Sequence, residues 1–382
     1  MHDKLAFLDA RLGQRQQAGL LRTLRPNSGL IDFCSNDYLG MARSATLREA
    51  ICKAEGQSPD LANGATGSRL LAGHTLLAEA VETQLATYYQ TESALIFNSG
   101  YDANLGLLSA LPSRDDVLIT DELIHASMID GARLSYATRH RFRHNDLNHL
   151  DELLRHARAQ TPATQQVFVA VESVYSMDGD LAPLPQLVAL CEQYEAHLIV
   201  DEAHATGVYG PTGAGRVAEL GLSARVLARV HTFGKGLGVH GAAVVGPRLL
   251  RDYLINTARS FIYTTALPPH SLLAIGCAHE QVAQAQAERR SLHECIGLFR
   301  QQAALKLPHS RWTDSPSPIQ CLLVEGNEAC RLVANRAQQA GFDVRAILSP
   351  TVPVGQERLR ICLHSFNTED QITHLLDSLT PG

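Results

Sequence analysis

The sequence contains no uninterrupted apolar run long enough to cross a membrane, although 45% of its 382 residues are hydrophobic. It also lacks any tract rich in lysine and arginine, and its net charge of -6 offers nucleic acid no basic surface. The first residues, MHDKLAFLDARLGQRQQ, lack the apolar core and cleavage site of a secretory signal. We therefore expect a cytoplasmic protein that has neither a membrane nor a nucleic acid as partner.

Cysteine pairs and two nucleotide-binding motifs are absent as well. None of the eight cysteines stands in a CxxC pair, so the sequence predicts neither a metal site nor a disulfide framework. DEAH at 201–204 is found in helicases, but the Gly234-Lys235 dipeptide lacks the GxxxxGK[ST] phosphate loop that a helicase needs. No GxGxxG follows the first strand, which disfavours a dinucleotide-binding oxidoreductase.

Short apolar strands alternate with amphipathic helices along most of the chain. Predicted strands are SALIFNSG, DDVLITDELIH, QQVFVAVES, HLIVDEAH, ARVHTFGKG and GAAVVGP, and predicted helices include TLLAEAVETQLATYYQ and LPQLVALCEQYEA. This alternation predicts an α/β fold with a large, doubly wound, mostly parallel sheet. Near residue 268 the pattern changes to one long helical stretch, AHEQVAQAQAERRSLHECIGLFRQQAALK, followed by short strands. We expect an N-terminal helix and arm at 1–45, a large domain at 46–267 and a smaller α+β domain at 268–382.

One lysine, Lys235, stands among glycines in the stretch VHTFGKGLGVHG at 230–241. Glycine removes side-chain bulk and lets the backbone pass close to a ligand, so this lysine could carry a bulky adduct. The alternative is a glycine-rich loop with an exposed lysine.

Other polar residues follow predicted strands, where ligands bind in such sheets. Asp201 ends the apolar run HLIV, where it could pair with a protonated heteroaromatic nitrogen or cap the next helix. Ser99 and Glu172 follow two further predicted strands. His125 follows another and could stack on a flat ring, or it could be an ordinary structural or surface histidine.

A possible anion site lies in FNSGYDAN at 97–104, which reads as a strand, a glycine turn and the start of a helix. The backbone N–H groups of Gly100 and Tyr101 could bind a phosphate there, with the Ser99 hydroxyl nearby and Thr232 as a second contact. Together with Lys235, Asp201 and the histidines, this set fits a pyridoxal phosphate site. The lysine would form a Schiff base, and the aspartate would keep the pyridine nitrogen protonated.

The motifs that carry a family resemblance are SNDYLG, NSGYDAN, HAS, SMDGD, DEAHATGVYG, TFGKG and PTVPVGQERLR. On these motifs the chain resembles the α-oxoamine synthase family of fold-type-I pyridoxal phosphate enzymes, over nearly its whole length. Within that family it is most similar to acyltransferases that condense L-alanine with a pimeloyl thioester, of coenzyme A or a carrier protein. Those members release CO2 and make 8-amino-7-oxononanoate for biotin biosynthesis.

Other functions stay open at this point. A glycine-using member, of the 2-amino-3-ketobutyrate CoA ligase or 5-aminolevulinate synthase type, differs by the space for one methyl group, which discriminates weakly. A non-catalytic subunit of a heterodimer should lack the Schiff-base lysine that Lys235 provides. A simple aminotransferase shares the cofactor but not the SMDGD and TFGKG motifs.

The resemblance also implies residue roles around the cofactor. Lys235 would hold it covalently, Asp201 would pair with the ring nitrogen, and these two would be catalytic together with His125 and His204. His125 would stack on the ring and also contact substrate, and His204 and Ser176 would contact the phenolic oxygen. The phosphate would be bound by the following residues: Ser99, Gly100, Tyr101, Thr232, and Thr264 and Thr265 reaching over from the other subunit of a homodimer.

On the substrate side, the resemblance implies that Arg360 grips the amino-acid carboxylate, with Arg358 on the same strand face as the rival. The further positions that match substrate-binding positions are Arg22, Asn36, Glu172 and Thr351. The segment GSRLLAGHT at 67–75 departs from the expected pattern by carrying Arg69 and His74. If this segment touches the acyl chain, the acyl specificity differs.

Overall fold

The computed structural model describes residues 5–24, 26, 29–160 and 165–380. In that part of the chain the strands are β1 (Ile31–Asp32), β2 (Ser93–Phe97), β3 (Val117–Asp121), β4 (Thr138–Phe142), β5 (Val167–Glu172), β6 (His197–Asp201), β7 (Ala228–Thr232), β8 (Ala242–Gly246), β9 (Arg311–Trp312), β10 (Ile319–Leu323), β11 (Phe342–Asp343), β12 (Arg345–Ile347) and β13 (Arg358–Cys362). The helices are α1 (Ala6–Gln17), α2 (Ala45–Gly56), α3 (Leu76–Tyr88), α4 (Gly100–Ala110), α5 (Ala126–Leu134), α6 (Leu147–Gln160), α7 (Leu184–Gln193), α8 (Arg216–Glu219), α9 (Arg248–Thr257), α10 (Arg259–Ile262), α11 (Pro269–Gln284), α12 (Gln286–Lys306), α13 (Asn327–Gln339) and α14 (Glu369–Leu379).

Seven strands form the central sheet, in the order β2-β8-β7-β6-β5-β3-β4. Every neighbouring pair is parallel except the two pairs that β8 makes, with β2 and with β7. The predicted α/β fold with a mostly parallel sheet is therefore confirmed. Because β8 alone runs in reverse, the carboxyl ends of β2, β3, β5, β6 and β7 share one edge of the sheet.

Helices cover both faces of this sheet, which explains why its strands are continuous apolar runs. In β5, Phe168 and Ala170 pack toward α4 and α5 on one face. Val167, Val169 and Val171 pack toward α6 and α7 on the other face. Alternate side chains of one strand thus enter two separate buried layers.

The edge strand β4 has no counterpart in the sequence prediction. Only Phe142 of its five residues is buried, and the others are polar and partly or fully exposed. Charged side chains on an edge strand prevent pairing with another chain. They also hide the apolar alternation by which a strand is predicted.

The C-terminal part contains an antiparallel sheet in the order β12-β13-β10-β9. The short β1 pairs in parallel with β11, so the segment that follows α1 lies against this part of the chain. In the described part of the chain, no helix has the length and apolar character needed to cross a membrane.

The long helical stretch predicted after residue 268 forms two helices, α11 and α12, that meet at Ala285. The guanidinium of Arg289 donates to the Val282 carbonyl at 2.6 Å and to the Pro211 carbonyl at 2.7 Å. A side chain thus stabilises the end of the first helix, and the apolar periodicity gives no sign of it.

The SMDGD loop between β5 and α7 touches the C-terminal part at Gly179. Gly179 has a φ of +77°, and a Cβ there would overlap the Ile319 carbonyl oxygen. Its own carbonyl accepts the Ser315 hydroxyl at 2.8 Å. Only glycine fits this close approach, which fixes the loop that carries Ser176 against β10.

Gly179→Ala should destabilise the protein more than Gly221→Ala, its matched control. Gly221 also has a left-handed φ, +68°, but nothing lies within 4 Å of the added Cβ. We expect Gly221→Ala to lower the free energy of unfolding by about 1 kcal/mol for its backbone conformation. Gly179→Ala should lose roughly 1–3 kcal/mol more because of the overlap. Denaturant unfolding measures both values, and equal losses would contradict the close approach.

Candidate active site

The polar residues predicted at strand ends lie at one edge of the central sheet. Glu172 and Asp201 are the last residues of β5 and β6 and are direct partners across that strand pair. Ser99 caps α4 shortly after β2, and Lys235 lies in the loop that follows β7. This is the edge at which parallel sheets bind ligands.

Lys235 is half-buried, so the alternative of an ordinary exposed loop lysine is wrong. Its Nζ lies 2.8 Å from Nε2 of His204. Burial lowers the pKa of Lys235 to about 8, although the negative charges of Asp201 and Glu172 act against this. Burial, together with the charge of Lys235, holds the pKa of His204 well below its usual value. The site therefore favours the free amine and the neutral imidazole far more than water does.

Asp201 is 4% exposed and makes no salt bridge with the described residues. Its Oδ2 accepts the side-chain amide of Asn104 at 2.6 Å, and its Oδ1 accepts the N–H of Ala203 at 2.8 Å. Residues 203–208 form turns, so Asp201 does not cap a helix, which removes that alternative. A buried carboxylate held only by neutral donors is suited to a cationic ligand group.

His125 precedes α5, where its Nδ1 accepts the N–H of Ser127 at 3.2 Å. Burial is the main cause that lowers the pKa of His125, and the charge of Lys235 adds to it. A neutral ring with Nδ1 as acceptor carries its proton on Nε2. The Ser127 hydroxyl also accepts from Asn104, so one set of contacts holds both His125 and Asp201.

The turn between β2 and α4 has the features of an anion site. The Ser99 hydroxyl accepts the N–H of Asp102 at 3.1 Å and donates to its carboxylate. No described residue accepts the N–H groups of Gly100 and Tyr101 at the helix start. A Cβ on Gly100 would lie 2.9 Å from the Thr232 hydroxyl oxygen, so only glycine leaves that space open. Unpaired N–H groups at a helix N-terminus bind anions.

The Tyr101 side chain is exposed and donates to Asp130, so it is the backbone of Tyr101 that faces the turn. Thr264 and Thr265 lie beside the same turn within this chain. The Asn98 side-chain amide donates to the Thr264 hydroxyl at 3.1 Å and to the Thr265 carbonyl at 2.9 Å.

The two arginines of β13 have different surroundings. Arg358 pairs with Asp178 and donates to the Met177 carbonyl at 3.1 Å. Arg360 makes no salt bridge with a described residue. Its three nitrogens donate to the backbone carbonyl of Ser176, the Cys362 sulfur and the side-chain oxygen of Asn36, at 2.8, 2.9 and 3.1 Å.

Glu172 is 2% exposed, and its Oε2 accepts the N–H of Ser176 at 3.2 Å. Burial, with the charge of Asp201 beside it, raises the pKa of Glu172 well above its usual value. A protonated Glu172 would keep two carboxylates on adjacent strand ends from repelling each other.

Arg22 and Thr351 line a separate surface groove, together with Arg331. No described hydrogen bond joins Arg22 or Thr351 to Lys235. Arg69 and His74 bind the chain itself: Arg69 donates to both carboxylate oxygens of the buried Glu82, at 2.9 and 3.2 Å, and His74 contacts Glu79. These contacts with Glu82 indicate that Arg69 has a structural role.

Three side chains of this site were missed in the sequence analysis: Tyr38, Asn104 and Ser127. Each stands inside a quoted motif, SNDYLG, NSGYDAN or HAS. Tyr38 contacts His204 at 2.6 Å, and Asn104 contacts both Asp201 and Ser127. The motifs contain these residues, but only the fold shows which of their side chains contacts which predicted site residue.

These residues fit pyridoxal phosphate. The unpaired N–H groups at Gly100 and Tyr101 and the space that Gly100 leaves suit a phosphate. The buried Asp201 suits a protonated ring nitrogen, and Lys235 has a pKa at which an amine reacts with an aldehyde. Among the described residues, no group of three histidine, cysteine, aspartate or glutamate side chains could hold a metal ion.

Known proteins resemble the chain over nearly its whole length. A family model, aminotransferase class I and II, matches residues 28–379. The 8-amino-7-oxononanoate synthase of Emericella nidulans is 41% identical over 378 residues, which cover 94% of this chain and 90% of that protein. The protein of the same name from Methylobacillus flagellatus is 39% identical over 387 residues, with coverages of 98% and 95%.

Two solved structures show the same fold. A serine palmitoyltransferase from S. paucimobilis with PLP-myriocin bound has a TM-score of 0.87 and 27% identity, and the match covers 99% of this chain and 96% of that chain. The 8-amino-7-oxononanoate synthase from Francisella tularensis has a TM-score of 0.77 and 30% identity, with coverages of 92% and 97%.

The reactivity of Lys235 toward an amine reagent should reach its half-maximum near pH 8, the value to which burial lowers its pKa. In Asp201→Asn the midpoint should move to lower pH, because the negative charge that opposes the lowering is removed. Peptide mass spectrometry after brief labelling of the ligand-free protein measures both midpoints. Labelling of the exposed Lys53 should be the same in both proteins, and a shift to higher pH in Asp201→Asn would contradict this account.

Proposed function

The chain belongs to the aminotransferase class I and II family, and on that premise we propose that it is a pyridoxal phosphate-dependent 8-amino-7-oxononanoate synthase. The reaction joins L-alanine to a pimeloyl thioester and releases CO2 and the free thiol, a step of biotin biosynthesis. The observation that carries the proposal is the buried Lys235 amine, at the sheet edge where the unpaired carboxylate of Asp201 also lies. Identities near 40% over almost the full length support the substrate choice.

Pyridoxal phosphate, when bound, supplies an electron sink for the bond changes at the amino-acid α-carbon. Lys235 would hold it covalently, and its Nζ would accept the α-proton of the amino acid. The lowered pKa suits this second role because the amine must be unprotonated to act as a base. Asp201 would keep a proton on the ring nitrogen, and Asn104 holds Asp201 in place.

The remaining cofactor contacts are part of the same proposal. His125 would lie against the ring face, and His204 and Ser176 would contact the phenolic oxygen. The phosphate would be bound by the following residues: Ser99, Gly100, Tyr101 and Thr232. Thr264 and Thr265 of the second subunit would add to these contacts, and they are distinct from the pair that lies beside Asn98 in this chain.

Arg360 is the proposed carboxylate-binding residue, and Asn36 orients it. Arg358 is the weaker candidate because its guanidinium already forms a salt bridge with Asp178. Glu172 lies on the substrate side, and Arg22 and Thr351 line the groove proposed for the acyl donor, a coenzyme A or carrier-protein thioester.

A homodimer is part of the proposal. Leu70, Leu71 and Leu76 are 51%, 86% and 84% exposed in the single chain, and burying such residues is favourable. The proposed location is the cytoplasm, which the eight free cysteines support.

Lys235→Ala should lose activity by roughly 10²–10⁴-fold or more, since it removes both the anchor and the base. The assay follows free thiol and CO2 released from L-alanine and pimeloyl-CoA, with pimeloyl carrier protein as the second donor. An unchanged melting temperature would show that the variant is folded. Turnover with glycine but not L-alanine would overturn the substrate, and an active Lys235→Ala would overturn the mechanism.

Arg360→Lys should raise the KM for L-alanine about tenfold or more, because an ammonium cannot form the two parallel hydrogen bonds of a guanidinium with a carboxylate. The KM for the thioester should stay the same. Arg358→Lys is the matched control on the same strand: it weakens the pair with Asp178 and should lower the melting temperature without changing the KM for L-alanine. The reverse pattern would assign the carboxylate to Arg358.

A further inference from the structure

A histidine outside the candidate active site joins two acidic side chains. His144 lies in the loop between the edge strand β4 and α6. Its Nδ1 lies 3.0 Å from Oδ1 of Asp121, and its Nε2 lies 2.7 Å from Oδ2 of Asp180. Asp121 is the fully buried last residue of β3, and Asp180 ends the SMDGD loop. The imidazole therefore connects the edge of the central sheet to the loop that carries Ser176.

Both ring nitrogens of His144 carry a proton. A carboxylate only accepts hydrogen bonds, and each nitrogen faces one, so each nitrogen must donate. Burial lowers the pKa of His144, but the hydrogen bonds to Asp121 and Asp180 outweigh burial and raise the pKa to about 10. His144 is therefore an imidazolium at neutral pH, and its positive charge lies between two carboxylates.

Asp180 depends on this cation more than Asp121 does. Asp121 also accepts the backbone N–H groups of Leu123 and Asn145, at 2.8 and 2.9 Å. The Oδ1 of Asp180 is buried and has no partner among the described residues. Its Oδ2 accepts from His144 and from the side-chain amide of Asn145, at 2.7 and 2.8 Å. Without the imidazolium the two carboxylates would face each other with no cation between them, and their repulsion would displace the SMDGD loop.

The SMDGD loop holds the guanidinium that is proposed to bind the amino-acid carboxylate. The carbonyl of Asp180 accepts the N–H of Tyr175 at 3.0 Å, and the carbonyl of Tyr175 accepts the N–H of Gly179 at 2.8 Å, so the loop is a closed turn. Within this turn the Ser176 carbonyl accepts the Nε–H of Arg360 at 2.8 Å. A movement of Asp180 therefore moves the acceptor that orients Arg360.

We propose that His144 is a positioning residue for the amino-acid substrate, which holds Asp180 and the SMDGD loop so that Arg360 presents its guanidinium to the substrate carboxylate. The inference rests on the proposed function, in which Arg360 binds that carboxylate. It makes the affinity for the amino acid depend on a positive charge beside the edge strand of the sheet, in a loop that contacts no substrate.

His144→Gln tests this, with His149→Gln as its matched control. His149 lies at the start of α6, and its Nδ1 accepts the N–H of Arg143 at 3.0 Å. No described hydrogen bond joins it to the SMDGD loop. Both variants thus exchange a partly buried histidine for glutamine, but only His144→Gln removes the cation between the two carboxylates.

The first readout is nitrogen NMR at about pH 8 of the full chain labelled with ¹⁵N-histidine and freed of cofactor. The His144 signals are assigned by their loss in His144→Gln or, where this variant does not fold, in the double variant described below. We expect two protonated ring nitrogens, whereas an ordinary histidine with a pKa of about 6.5 is neutral at this pH. A His144 with one unprotonated nitrogen would overturn the inference.

The second readout is steady-state kinetics of the holoenzyme. His144→Gln should raise the KM for L-alanine about three- to tenfold, because the displaced Ser176 carbonyl weakens the hydrogen bond that orients Arg360. The KM for the thioester should stay the same, kcat should change less than the KM for L-alanine, and His149→Gln should keep the native values. A His144→Gln protein with a native KM for L-alanine but a lower melting temperature would reduce His144 to a structural residue.

A double variant separates the effect of charge from that of packing. Adding Asp180→Asn to His144→Gln removes one of the two facing carboxylates, so the KM for L-alanine should return to within about twofold of the native value. A packing defect at position 144 would leave the double variant no better than His144→Gln. Because the double variant lacks the repulsion, it also tests the proposal where His144→Gln alone does not fold: a KM for L-alanine far above native would contradict it.

Failure of the inference can be told apart from failure of the proposed function. If native protein turns over no amino acid with any acyl thioester, the proposed function falls, whatever the NMR shows. If it turns over L-alanine and pimeloyl-CoA but His144→Gln keeps the native KM for L-alanine, the function stands and the role of His144 falls.

Discussion

The site depends on a buried carboxylate that makes no salt bridge with any described residue. Asp201 ends a central strand, is almost fully covered, and is held by the side chain of Asn104 and the N–H of Ala203. Neutral donors stabilise a buried charge only in part, so the negative charge of Asp201 remains incompletely stabilised by the fold. The carboxylate therefore favours a ligand group that brings a positive charge.

The parallel sheet brings other ionisable side chains close to Asp201. Because adjacent strands end together, Glu172 lies beside Asp201, and the loop after β7 brings Lys235 within range of both. The raised pKa of Glu172 keeps the local negative charge near that of one carboxylate. The side chains that contact these groups are neutral. Asn104 and Ser127 lie beside Asp201, Tyr38 contacts His204, and Asn36 contacts Arg360.

Periodicity and strand-end chemistry predicted the sheet and the location of the site, because both depend on short-range patterns. The VFVAVE run is typical of a strand covered on both faces, and polar residues directly after such parallel strands are expected at one edge of the sheet. The choice between Arg358 and Arg360 could not be predicted in this way. Both have the same strand face and the same chemistry, and they differ only because Asp178, from a distant loop, pairs with one of them. Tyr38 was missed for a similar reason, since its partner His204 is far away in sequence and a buried tyrosine ordinarily indicates core.

The balance of charges at Lys235 also links binding to reactivity. In the ligand-free protein, Asp201 and Glu172 raise the pKa of the amine against the effect of burial. A cation paired with Asp201 cancels much of that carboxylate's field at Lys235, since opposite charges close together act on a third group as a dipole. Burial then acts with less opposition, and the amine is unprotonated over a wider range of pH. A cationic group that pairs with the buried carboxylate would therefore also favour the unprotonated form of the neighbouring lysine amine.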